Sequence, residues 1–124
     1  MATKFYDFQK VRGVCIQTTS GNQGAGNEIT FDVPAGSFVD VRAYVTTAFN
    51  GTTPTLTVDD GTTTFINAAD ITIAGAVAGG EKFYTSNGTI TISIGGSGST
   101  TGELYVEARY TNSQISDGTY SNNG

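Results

Sequence analysis

Hydrophobic and polar positions alternate with a period of two over much of this chain. In Phe38 to Gly61, Val39, Val41, Ala43 and Val45 fall on one face, and Asp40, Arg42, Tyr44 and Thr46 on the other. This is the signature of a half-buried β-strand. The run Asn50-Gly51-Thr52-Thr53-Pro54 follows as turn chemistry, and Leu56 and Val58 resume the alternation, which predicts a hairpin. Glu28 to Val33 places Ile29, Phe31 and Val33 inward. The short turn Pro34-Ala35-Gly36-Ser37 then predicts that this strand and the next are antiparallel neighbours. Thr89 to Ile94 repeats the pattern with Ile90, Ile92 and Ile94, and Ser86-Asn87-Gly88 predicts a hairpin with a strand over Glu81 to Tyr84. Gly102 to Thr111 places Leu104, Val106, Ala108 and Tyr110 inward.

Weaker signals complete the series. Lys4 to Gln17 alternates loosely around an irregularity at Gly13, read as a bulge or a crossing between sheets, and short strands are predicted at Thr64 to Asn67 and around Ile71 and Ile73. Thr18 to Asn27 reads as an exposed, mobile loop, and Ala74 to Gly80 and Gly95 to Thr101 as flexible connections. Eight or nine short strands predict an all-β, antiparallel β-sandwich, with the jelly roll favoured. An up-and-down barrel and an immunoglobulin-like sandwich stay open, because sequence leaves strand order undetermined.

Length and composition narrow the picture. The 124 residues suit one domain, expected over 1–111, with a tail over 112–124 that is flexible or ordered on a neighbour. The 17 glycines and the wealth of Thr, Ser and Asn leave little that favours helix. The net charge of -5 argues against nucleic acid as a partner. Lys4, Lys10 and Arg12 against Asp7 make the chain +2 up to Gly13, so the remainder carries -7. Those three cations are candidates to orient the first segment on an acidic neighbour, although solvated strand residues are the plainer reading. Cys15 has no internal partner for a disulfide, and its apolar strand suggests an inert, reduced thiol. Neither a secretory signal nor a membrane-length apolar run is visible, so the expected setting is cytoplasmic synthesis without a membrane partner.

Candidate chemistry is sparse. Without histidine, Ser-His-Asp and Cys-His catalysis are excluded within one chain. Glu103 and Glu107 share an outward face, where solvated acids are the simpler expectation than an acid–base pair. Asp59-Asp60-Gly61 with Asp70 offers oxygen ligands for calcium, but a turn capped by Asp side chains is favoured. The glycine runs lack the Lys-Ser or Lys-Thr ending of a phosphate loop. No catalytic, cofactor-binding or metal-binding residue is therefore assigned, and the chain reads as a non-enzyme. Tyr44 and Tyr105 remain as outward aromatics, suited to a subunit interface before a sugar ring. The candidate interface is thus Asp40, Arg42, Tyr44, Thr46 and Tyr105, with Lys4, Lys10 and Arg12.

The stretches Ile29 to Gly36 (ITFDVPAG), Val45 to Val58 (VTTAFNGTTPTLTV), Tyr84 to Ile92 (YTSNGTITI) and Gly102 to Tyr110 together resemble small structural proteins of tailed bacteriophages, over about residues 28 to 110. The resemblance rests on strand-and-turn patterns. It implies a β-sandwich virion protein, of the type that decorates or cements a capsid or sits in the head, neck or tail, assembled in the host cytoplasm. It further implies a major capsid protein or other virion protein as partner, and a homo-oligomer, with a trimer favoured by the common symmetry of capsid sites. A module at a tail or fibre that binds host glycans through Tyr44, Tyr105, Asn22, Gln23 and Asn27 is the alternative.

Overall fold

The computed structural model describes residues 11–112, which form two antiparallel sheets packed face to face. The strands are β1 (Val11–Thr19), β2 (Ile29–Val33), β3 (Ser37–Thr47), β4 (Thr52–Asp59), β5 (Thr64–Asp70), β6 (Gly75–Val77), β7 (Glu81–Tyr84), β8 (Gly88–Ser97) and β9 (Glu103–Asn112). The first sheet has the order β1-β9-β3, with β6 and β7 end to end along the free edge of β3, and the second has the order β2-β8-β4-β5. Both β6 and β7 pair with β3, so they share one strand position.

The pairings are nested. β1 pairs with β9, β2 with β8, β3 with β6 and β7, and β4 with β5, all antiparallel. This is one long double strand rolled up, and the extra pairings of β9 with β3 and β8 with β4 close each sheet. The architecture is the jelly roll expected from the alternation. β9 ends at Asn112; the tail over 113–124 and the segment before Val11 lie outside the described residues.

The core is built where the two-residue period says it should be. Val39, Val41, Ala43 and Val45 from β3 and Leu104, Val106 and Ala108 from β9 face Leu56, Val58, Ile90, Ile92 and Ile94 from the second sheet, and all are buried. Phe49 and Ile71 close one end, joined by a hydrogen bond from the Phe49 amide to the Ile71 carbonyl.

Three predicted hairpins are not hairpins. β2 and β3, β3 and β4, and β7 and β8 lie in different sheets, so the turns at 34–36, 48–51 and 85–87 are corners between layers. Turn residues reverse the chain but do not decide which strand it pairs with next. β4 and β5 form the one tight hairpin among the described residues, through the turn Asp60-Gly61-Thr62-Thr63.

Other local expectations are also revised. β1 keeps an unbroken register with β9 through Gly13, so no bulge occurs there. The predicted strand at Ile71 and Ile73 is absent: Ile71 is a buried plug and Ile73 an exposed loop residue. The stretch read as a flexible loop, Ala74 to Gly80, instead contains β6. Its glycines allow close approach, because a Cβ at Gly79 would overlap the Val41 carbonyl while the Gly80 carbonyl accepts from the Val41 amide.

The loop after β1 is anchored. The Gln23 side chain donates to the Gly95 carbonyl and accepts from the Ser99 amide, and the Gly24 amide donates to Ile94. The connection at Gly95 to Thr101 is held as well, since Asn50 Oδ1 accepts from the Thr100 and Thr101 amides.

Gly102 sits at φ +145°, and a Cβ there would overlap the buried Phe49 ring. Gly102→Ala combines backbone strain with overpacking and should cost about 3 kcal/mol. Urea denaturation checks this, and a loss below about 0.5 kcal/mol would show that the site relaxes freely.

Candidate functional site

The outer face of the first sheet gathers most of the residues that sequence nominates. Because β3 and β9 pair in continuous register from Ser37 to Val45, their outward side chains stand in cross-strand rows. The first row is Thr111, Phe38 and Phe83, with the two phenyl rings 4.6 Å apart between centroids. Next comes Arg109 beside Asp40, with Arg109 Nη2 3.6 Å from Asp40 Oδ2, and then Glu107 beside Arg42, with Arg42 Nε donating to Glu107 Oε1 at 2.7 Å. The fourth row is Tyr105 beside Tyr44. Beyond it a bulge between Val45 and Thr47 lets the Thr46 hydroxyl donate to the Glu103 carboxylate, which also accepts from the Gln17 amide.

Asp40, Arg42, Tyr44, Thr46 and Tyr105 are therefore brought together. Arg12 is not among them: it is the register partner of Tyr110, on the core-facing parity, and is exposed. Lys4 and Lys10 lie outside the described residues. The amides of the glycan reading are occupied: Asn22 Oδ1 accepts from the Thr19 amide, Asn27 donates to the Gln23 carbonyl, and the Gln23 side chain bridges to Gly95 and Ser99. Glu103 and Glu107 are four strand residues apart, about 13 Å, too far to act on one bond. Cys15 stands exposed on the same outer face as register partner of Glu107, so burial does not explain an inert thiol.

Exposed apolar surface is segregated. Phe38, at 64% exposure, Phe83, Tyr44 and Tyr105 all lie on this face, and Ile73 is the only other large hydrophobic exposed among the described residues. The opposite outer face carries Thr30, Asp32, Thr57, Thr89, Thr91 and Ser93. A shallow depression lies between the Phe38 row and the Asp40–Arg109 row, lined also by Glu81, Tyr110 and Thr111.

A second polar cluster ties the sheets together. Asp60, in the β4–β5 turn, has a side chain only 2% exposed. Its Oδ2 accepts from Lys82 Nζ and from the Tyr84 hydroxyl, each at 2.7 Å, and its Oδ1 accepts from the Thr62 and Thr63 amides. Lys82 Nζ also lies 4.7 Å from the Tyr84 ring centroid. Burial alone would raise the Asp60 pKa, but the Lys82 ammonium, the turn amides and the Tyr84 hydroxyl together hold it well below the usual carboxylate range. The same contact, with burial as the larger cause, pushes the Tyr84 hydroxyl far above its ordinary value. Asp60 thus uses its oxygens in the turn and the tie. Asp59 accepts from the Gly61 amide, and Asp70 accepts from the hydroxyl and amide of Thr72, which lower its pKa. Among the described residues no three His, Cys, Asp or Glu side chains converge as metal ligands.

Sequence reasoning missed this tie and the Phe38–Phe83 step. A signal existed: in Glu81 to Tyr84 the lysine shares inward parity with Tyr84 while Phe83 points out, an inversion of the ordinary pattern. No protein-family model matches the chain, and no curated protein matches it in sequence.

The tie gives a pH signature. A depressed folded pKa contributes stability that is present above the usual carboxylate value of 3.8 and is lost as pH falls from there toward the folded value. Tyr84, with a raised pKa, contributes below pH 10 and loses its contribution as pH rises beyond it. Asp60→Asn should cost about 3 kcal/mol at neutral pH, by leaving Lys82 uncompensated, and should flatten the acid arm of the stability profile below about pH 4. Urea melts across pH read both effects, and a parallel shift with an unchanged acid arm would remove Asp60 as its source.

Proposed function

We propose that this protein is a structural component of a tailed-bacteriophage particle, of the kind that decorates or cements the head by bridging capsomers. The observation that carries the reading is the two-sidedness of the sandwich. One outer face bears four large exposed aromatics set among alternating charges, and the other is a hydroxyl-rich sheet surface. Monomeric proteins rarely concentrate exposed apolar side chains on one face without a protein to cover them. The phage-like pattern over about residues 28 to 110 supports the same reading, because those residues supply the strands and corners of the sandwich.

The mechanism is linkage. A protein that binds only the assembled shell stabilises the shell by mass action, and repetition over a lattice lets modest individual contacts suffice. The outer face of the first sheet is the assembly surface, where the chain meets other protein of the particle. The chain works as a homo-oligomer and needs no cofactor in this role.

Particles stripped of the protein should lose resistance to heat and regain it when purified protein is added back. Phe38→Ser with Tyr44→Ser should lower that rescue about tenfold or more in the protein concentration required, with the fold's melting temperature nearly unchanged. Stripped and intact particles of equal heat resistance would refute the cement role.

A further inference from the structure

The rows on the outer face of the first sheet carry a charge pattern that matches itself. Along β3 the order is Phe38, Asp40, Arg42, Tyr44, and along β9, in register, Thr111, Arg109, Glu107, Tyr105. The four charges form a two-by-two checkerboard, negative then positive on β3 and positive then negative on β9. Its centre is the register pair Val41 and Ala108.

We propose that two copies of this chain pair through these faces, related by a two-fold axis that runs parallel to the sheet, midway between the two faces, and crosses over the strands at the Val41–Ala108 row. That operation sets Asp40 against Arg42 of the second copy and Arg109 against Glu107 of the second copy. It also sets Phe38 against Tyr44, Thr111 against Tyr105, and Phe83 against Ala76, each on the opposite chain. Every aromatic row is then covered by the other aromatic row, and each of the four checkerboard charges faces its opposite, while Glu81, beside Asp40 on β7, lies outside the checkerboard. A two-fold contact requires this kind of self-complementarity. The depression between Phe38 and the Asp40–Arg109 pair lies where the incoming Tyr44 ring arrives.

The size is adequate for a specific but weak pair. Four strand positions about 4.8 Å apart and rows running over six residues give a footprint of roughly 400 Å² in projection on each copy, larger in accessible area, at the small end of specific interfaces. So small an interface is expected to bind weakly, on the order of micromolar or weaker. The central charges set register and partner choice more than affinity. The inference concerns the isolated protein and goes beyond the virion reading, so either can fail while the other stands.

Sedimentation velocity of the full chain over about 1 to 300 µM should show a monomer–dimer equilibrium, with Tyr44→Asp weakening it about tenfold or more. The decisive variants exchange charges. Asp40→Arg with Arg109→Asp preserves the ion pair within the sheet, and hence the melting temperature, yet places like charges across the two-fold and should abolish the dimer. Adding Arg42→Glu and Glu107→Arg inverts the whole checkerboard and should restore it. A chain that stays monomeric throughout, one that closes into a trimer, or a two-residue exchange that dimerises as tightly as the natural chain would each overturn the proposal.

Discussion

The structure depends on burying the β-branched inner faces of two sheets against each other. Each long strand offers one apolar side, and no single sheet can cover itself. The inner faces of β3 and β9 are satisfied only by those of β4 and β8, so the chain must pass repeatedly from one layer to the other. The corners, the divided edge strand and the pinned loops follow from that requirement. Gly79 allows the β6–β7 segment to press against Val41, and Gln23 and Asn50 fasten the ends where strands leave one layer for the next.

Which side of each long strand is buried was legible residue by residue. Val39 to Val45, Ile90 to Ile94 and Leu104 to Ala108 are buried as their period requires, and the number of such runs points to a two-layer β-sandwich. What sequence could not convey is partner choice. Pro34-Ala35-Gly36 and Ser86-Asn87-Gly88 carry the same turn chemistry whether the next strand stays in its sheet or leaves it, and the difference is set by burial many residues away. The outward set on β3 and β9 was legible for the same reason as the core, whereas Arg12, nominated for the charge of the first segment, stands on the core-facing parity opposite Tyr110. The tie at Asp60 joins a turn to a strand 22 residues later with no periodicity to announce it.

Polar interactions divide into two kinds with different work to do. Asp60 is withdrawn from water, and its two oxygens accept from Lys82, Tyr84 and the turn amides, so that tie fixes how the layers sit on each other. The pairs Asp40–Arg109 and Arg42–Glu107 are largely exposed, and such pairs contribute little to folding. Their regular alternation is instead a pattern another protein surface can read, framed by aromatic rows that provide apolar area.

The nesting of strand pairs also has a consequence for biosynthesis. Val11 has Thr111 as its partner, and Ile29 has Ile92, so the first strands made are the last to find their places. Such a chain has high contact order, and a ribosome releasing it from the N-terminus exposes β1 to β4 before β8 and β9, the strands that join each sheet, have been made. The β4–β5 hairpin, and β3 with β6 and β7, can close before then. The threonine- and glycine-rich composition then gains a second meaning: it keeps an incomplete chain poorly adhesive during the interval before β8 and β9 emerge.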